Sequence, residues 1–166
     1  MATPTLTRRT LLFGRDAAWP AAVRPPWAVP EPDFSARCTR CDACVHACPE
    51  QVLVRGGDGL PRFDAQLGEC TFCGDCAQAC DSAALDASLS PPWELRARVG
   101  GGCLPAQGVV CASCREACPE SAIHVPPGAR GAAVIDPERC TGCGACVAIC
   151  PAGAIALATA PIGVPA

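Results

Sequence analysis

Apolar residues in this chain fall in short blocks, each bounded by turn-formers. Val52, Leu53 and Val54 run into Gly56, Gly57 and Gly59, and Pro61 to Phe63 follows, which predicts a short hairpin. Ala122 to Val125, a Pro126 to Gly128 turn and Ala132 to Ile135 repeat that arrangement in the second half. One-turn helices are expected after the third cysteine of each of four cysteine runs, as in A-C-V-A-I-C. Ala84 and Leu85, and Ile155 to Leu157, are expected to close the two small sheets. Pro91, Pro92 and Gly100 to Gly102 act as breakers and mark residues 87–102 as a linker. Residues 1–33 form a proline-rich arm expected to lack regular structure. Between these lie a first module, 34–86, a second, 103–158, and a tail, 159–166. The predicted class is α+β.

The sixteen cysteines fall into four groups. They are Cys38, Cys41, Cys44, Cys48; Cys70, Cys73, Cys76, Cys80; Cys103, Cys111, Cys114, Cys118; and Cys140, Cys143, Cys146, Cys150. Three groups read C-x2-C-x2-C-x3-C, in which three thiolates surround one iron–sulfur cube and the fourth reaches to another. A disulfide framework would need a secretory context and freer spacing. Zinc sites use two C-x2-C pairs across a longer loop, whereas here a third cysteine follows after two residues. The expected cofactors are four [4Fe-4S] clusters.

Composition agrees. Half the residues are hydrophobic, but large apolar side chains are few: four Phe, three Trp, one Met and no Tyr. At about 25 cal/mol per Å² such a chain buries too little to fold alone, so metal ligation must contribute folding free energy, and the metal-free chain is expected to be largely unfolded. The formal charge of −3 counts cysteines as neutral. Four oxidised cubes at about −2 each bring the loaded protein to roughly −11. Residues 1 to 30 carry Arg8, Arg9, Arg15 and Arg24 against Asp16 alone, so a basic arm precedes an acidic body. Nucleic acid is not an expected partner: no aromatic platform or recognition helix accompanies the arm, and the body would repel phosphate. From Cys140 to Ala166 the chain has no charged residue, but Pro151, Pro161, Pro165 and four cysteines exclude a transmembrane segment there. No catalytic constellation or nucleotide fingerprint is present, and no enzymatic activity is expected.

The chain is a duplication. A shift of 70 residues places Cys41, Cys44 and Cys48 on Cys111, Cys114 and Cys118, and Cys70, Cys73, Cys76 and Cys80 on Cys140, Cys143, Cys146 and Cys150. Cys38 alone breaks register: it falls on Gly108, and the third group offers Cys103 instead. Either the five residues L-P-A-Q-G bulge so that Cys103 reaches the same iron, or that site holds a three-iron cluster; the count closes at sixteen with the first. Asp81 replaces the proline that follows the last cysteine of the other groups (Pro49, Pro119, Pro151). It either lowers a cluster potential or is solvated. His46 reads as an exposed helix position rather than a ligand.

The spacing is that of bacterial-type ferredoxins, and the chain resembles two tandem two-cluster modules of that kind. In that fold the first three cysteines of one motif share a cluster with the last of the other. Carried onto this chain, the resemblance implies cluster one at Cys38, Cys41, Cys44 and Cys80, and cluster two at Cys70, Cys73, Cys76 and Cys48. It implies cluster three at Cys103, Cys111, Cys114 and Cys150, and cluster four at Cys140, Cys143, Cys146 and Cys118. A second resemblance is more specific. The arm reads T-R-R-T-L-L from Thr7, then R-P-P-W from Arg24, then F-S-A-R-C-T-R-C-D-A-C, and the last motif reads C-x-G-C-G-A-C. This combination resembles the NapF family, ferredoxin-type accessory proteins of periplasmic nitrate reductase systems. The resemblance implies a cytosolic iron–sulfur protein that meets the catalytic molybdenum subunit before its export and assists its maturation or electron supply.

Arg8 and Arg9 imitate a twin-arginine export signal. The apolar stretch Leu11 to Phe13 ends at once in Gly14, Arg15 and Asp16, which is too short for an h-region, so cytoplasmic retention is expected, with periplasmic export as the alternative. Arg8, Arg9, Arg24, Trp19 and Trp27 have the makings of a docking peptide. Two other functions stay open. One is an electron-transfer subunit linking a quinol dehydrogenase to a molybdoenzyme, against which the short loops argue. The other is an iron or redox sensor.

Overall fold

With so few large apolar residues, no element can be long, and each is anchored by a cysteine group or by its pairing partner. The structure, a computed structural model, describes residues 23–159. In chain order it contains α1 (Asp33–Arg37), α2 (Ala43–His46), β1 (Leu53–Arg55), β2 (Pro61–Phe63), α3 (Asp75–Gln78), β3 (Leu95–Val99) and a 3₁₀ turn (Leu104–Gln107). Then follow α4 (Ser113–Glu116), β4 (Ile123–His124), β5 (Val134–Ile135), α5 (Ala145–Ala148) and β6 (Ile155–Thr159). The two expected hairpins are present: β1 pairs antiparallel with β2, Leu53 opposite Phe63, and β4 with β5, Ile123 opposite Ile135. The β1–β2 turn is held by Asp58, whose carboxylate accepts the Leu60 amide at 3.0 Å.

The four one-turn helices each carry the third cysteine of a group. Three are entered through a left-handed residue: Asp42 (φ 60°), Gly74 (φ 86°) and Gly144 (φ 95°). The exception is Ala112 (φ −135°) before α4, in the group whose spacing is irregular.

Two expectations need correction. Residues 87–102 are not a bare linker, because β3 lies within them. It pairs antiparallel with β6 over five residues, from Leu95 opposite Thr159 to Val99 opposite Ile155. The physical reason is alternation: Leu95 and Ala97 are buried on one face, while Arg96 and Arg98 alternate with them on the other. Ile155 to Leu157 therefore closes a sheet with β3 rather than with the β4–β5 hairpin. Leu85, seventy residues before Ile155, repeats the relation in miniature by bridging Ala28.

The arm is the second correction. Its first 22 residues, including Arg8, Arg9, Arg15 and Trp19, lie outside the described residues. Residues 23–33 are packed into the first module. The Phe63 amide donates to the Val23 carbonyl (2.8 Å), Val29 to Ala84 (3.0 Å), Trp27 to Pro92 (2.7 Å) and Asp86 to Trp27 (2.8 Å). Pro25 and Pro26 are among the largest fully buried side chains, with Phe34 and Val52. Proline has no N–H to leave unpaired, so its backbone is buried at low cost. Arg24 is not a free docking charge: its guanidinium pairs with Glu31 (2.9 Å) and Asp58 (3.3 Å).

The halves meet through aromatic rings. Trp93 packs on Phe63 (centroids 5.0 Å apart) and on Phe72 (5.4 Å), and Trp27 lies edge-on to Phe72 (6.4 Å). Each such pair contributes about 0.5–1.5 kcal/mol beyond its burial. Trp93 Nε1 donates to the Thr141 carbonyl of the second half (2.9 Å). Phe63 also reaches Gly144, where a Cβ would stand 3.0 Å from its ring. The buried residues form one core in which Cys44, Cys76, Cys103, Cys114 and Cys146 sit beside Phe34, Val52, Leu95 and Ile155.

Candidate metal centres

A one-turn helix separates the third and fourth cysteines of each group and sends them to different places. Cys44 opens onto one cavity and Cys48, past the end of α2, onto another. The same divergence occurs at Cys76 and Cys80, Cys114 and Cys118, and Cys146 and Cys150. Four cavities result, each lined by four cysteines.

Site one is lined by Cys38, Cys41, Cys44 and Cys80 under Phe34 and Leu85. Site two has Cys48, Cys70, Cys73 and Cys76 against Pro26, Trp27 and Val52. Site three has Cys103, Cys111, Cys114 and Cys150 with Leu104, Pro105 and Ile155. Site four has Cys118, Cys140, Cys143 and Cys146 beneath Ala97, Ile123 and Leu157. Each of the sixteen cysteines lines one of these four cavities.

The donor chemistry fits iron–sulfur cubes. Four soft sulfurs per cavity suit thiolate-ligated iron. A single zinc at 2.3 Å from each sulfur would draw the four together to about 3.8 Å. Among the described residues no three Cys, His, Asp or Glu side chains converge to hold one metal ion.

Main-chain amides point at the sulfurs. Phe72 donates to Cys70 Sγ (3.4 Å), Ala97 to Cys140 (3.4 Å), Ala122 to Cys118 (3.3 Å), Ala133 to Cys103 (3.5 Å) and Ala154 to Cys150 (3.3 Å). Such bonds spread negative charge from ligand sulfur and are a lever on cluster potential. Burial holds six of the thiols, those of Cys44, Cys70, Cys76, Cys114, Cys143 and Cys146, above their ordinary value. Burial, with the neighbouring Cys38 and Cys80, pushes Cys44 up to about 11. Burial likewise raises Cys70 to about 11 and Cys76 and Cys146 to about 12, each with other cysteines adding to the shift. Cys41 is the reverse, lowered by the Ala43 amide and the Thr39 hydroxyl. Buried thiolates crowded together need a cation between them, and iron would supply it.

The displaced Cys103 is brought to site three by the bulge foreseen for L-P-A-Q-G. Leu104–Gln107 forms the 3₁₀ turn and Gly108 (φ 82°) takes a left-handed conformation at its end. Cys103 is buried, and its sulfur accepts the Ala133 amide. Asp81 and His46 are exposed and line none of the four cavities.

Sequence reasoning missed two supporting groups. Ala97 lies on β3, in the span read as linker. Arg55, on β1, pairs with Asp42 and donates to the Arg40 carbonyl (3.2 Å), pinning the loop that carries Cys41. The C-T-R-C-D-A-C run held the Asp42 half of this pair, but nothing local pointed to its partner.

Comparison with known proteins agrees with this geometry. Residues 37–85 and 109–154 each match a 4Fe-4S dicluster domain. The chain is 39% identical over 151 residues to the ferredoxin-type protein NapF of Escherichia coli strain K12, covering 90% of this chain and 92% of the relative. It is 38% identical over 137 residues to NapF of Haemophilus influenzae, with 81% and 78% covered. It is 36% identical over 162 residues to the methylamine utilization ferredoxin-type protein MauM of Methylorubrum extorquens, with 84% and 73% covered. With two tandem 4Fe-4S dicluster domains and a NapF match along nine-tenths of its length, the chain belongs to the NapF family of ferredoxin-type iron–sulfur proteins.

Proposed function

We propose that this iron–sulfur protein holds four [4Fe-4S] clusters on the four cysteine sets above. We further propose that it serves the catalytic molybdenum subunit of a periplasmic nitrate reductase in the cytoplasm, assisting its maturation or electron supply before export. The observation that carries the reading is the NapF match over 90% of the chain. The clusters would supply one-electron storage and transfer. Cys103, Ala133 and the 3₁₀ turn would complete site three as a four-iron site. The protein carries electrons or iron–sulfur units rather than transforming a substrate. The modules are best drawn as 23–86 and 95–159, since Ala28 and β3 each pair with the closing strand of their own half. Among the described residues no helix is long and apolar enough to cross a membrane.

Affinity capture of tagged protein from an anaerobic cytosolic extract tests the reading. Recovery of the unexported molybdenum subunit supports it. Recovery of a membrane quinol complex instead would favour the electron-transfer subunit, and finding the protein in the periplasmic fraction would refute the cytoplasmic role.

A further inference from the structure

We propose that the four sites stand in single file in the order one, two, four, three, so that the two halves join through sites two and four and the ends of the file are sites one and three. This rests on the four-cluster reading of the sites.

Within the first half, α2 links site one to site two, because Cys44 lines one and Cys48 the other. The path is doubled by α3, with Cys76 at site two and Cys80 at site one. In the second half α4 joins site three to site four through Cys114 and Cys118, and α5 returns through Cys146 and Cys150. The step between halves follows neither a helix nor the order of the sequence. The amide of Cys70, a site-two residue, donates to the carbonyl of Cys143, a site-four residue, at 2.8 Å. Trp93 lies beside that bond, against the Phe72 ring of the Cys70–Cys73 loop, and its Nε1 holds the Thr141 carbonyl of the Cys140–Cys143 loop. Among the described residues this is the main-chain hydrogen bond that joins the cysteine motifs of the two halves. Motifs two and four therefore face each other, and motifs one and three face away.

One electron passing along the file oxidises the cube it leaves by one unit and reduces the next by one unit, with no bond made or broken. Electrons enter and leave through one-electron donor and acceptor proteins. Site one reaches solvent at the exposed Cys41 and site two at the exposed Cys73, while site three lies beside exposed Val109 and Val110.

The test begins with the iron content of anaerobically prepared protein. A count near eight overturns the four-cluster reading itself, whatever the arrangement. With about sixteen irons, crystals of the unaltered holoprotein measured at the iron absorption edge give the four centres directly. The nearest pair between halves is expected to be two and four, and any other nearest pair overturns the file. In solution, removing one ligand from each of two sites leaves two three-iron clusters that are paramagnetic when oxidised. Cys73→Ala with Cys143→Ala should show dipolar splitting that is lost in Cys41→Ala with Cys111→Ala. Equal coupling in the two pairs, or stronger coupling in the second, would overturn the proposal.

Discussion

The Arg24 guanidinium lies 5.1 Å from the centre of the Phe34 ring, and Phe34 has no exposed surface. The ring roofs site one, while Pro26 and Trp27, two and three residues after that arginine, wall site two. The segment before the first cysteine is thus part of the construction of both sites.

Two truncations should separate structure from docking. Deleting residues 2–22 is expected to leave iron content unchanged while weakening capture of the molybdenum subunit at low salt, since Arg8 and Arg9 are removed. Deleting residues 2–30 is expected to cost iron as well, from site two first. Equal iron content in the two truncated proteins would show that Pro25 to Trp27 are dispensable. Phe34→Ala should destabilise the loaded protein by about 3–5 kcal/mol, read from denaturant unfolding under anaerobic conditions.

Cys103→Ser should affect one cluster of four. The expected signature is a three-iron signal in the electron paramagnetic resonance spectrum of oxidised protein, with sites one and two undisturbed. An unchanged spectrum with unchanged iron would show that Cys103 is not a ligand.

Glycine at position 142 answers a geometric demand. It sits at φ +76°, and a Cβ there would stand 2.4 Å from the Leu95 carbonyl oxygen and 2.9 Å from its carbon. Gly142→Ala is expected to push β3 from the Cys140–Cys143 loop and to cost on the order of 1–3 kcal/mol in backbone strain alone, with site four losing iron first. Gly101→Ala, where a Cβ meets nothing within 4 Å, is the control and should behave as wild type.

Arg55→Ala should change overall stability little. Arg55 is half exposed, and an exposed ion pair contributes about 0.2–1 kcal/mol. Its effect should be local: the loop carrying Cys41 loses its clamp, and site one should bleach faster than the others on exposure to air. Uniform bleaching of all four sites would show that the clamp has no role.

Removal of iron should unfold the chain. A chelator under reducing conditions is expected to abolish far-ultraviolet circular dichroism of the hairpins along with the visible absorption of the clusters, in one transition. Retained strand signal after complete iron loss would mean that the aromatic contacts of Trp27, Phe63, Phe72 and Trp93 suffice alone.

The parts legible in the sequence were those specified locally. Cysteine spacing marks four motifs because three cysteines of each site come from one short loop, Cys103 excepted. The β1–β2 hairpin was legible because Val52 to Val54 and Pro61 to Phe63 flank their own turn. Leu95–Val99 was not, although L-R-A-R-V alternates as a strand should. Pro91, Pro92 and Gly100 to Gly102 dominated the reading, and its partner lies far along the chain. Arg24 was legible as a charge but not as a clasp paired to Glu31 and Asp58, because Asp58, Phe34 and the Val23 contact to Phe63 are fixed by tertiary packing. The Cys70–Cys143 hydrogen bond has no sequence signal at all.

The pairing of β3 with β6 has a consequence for synthesis on the ribosome. The first half has its closing residue, Leu85, soon after its last cysteine, and Ala28 is already waiting for it. The second half repeats this on a larger scale: Leu95–Val99 emerges early and stays an unpaired edge until Ile155–Thr159 has been made. Throughout that interval the Ala97 amide has no sheet to hold it toward Cys140, while a completed neighbour stands upstream. Each half can therefore close only after its own last cysteine has been made, the amino-terminal half first, and a ribosome stalled between Cys118 and Cys150 presents a closed first half beside an open second one.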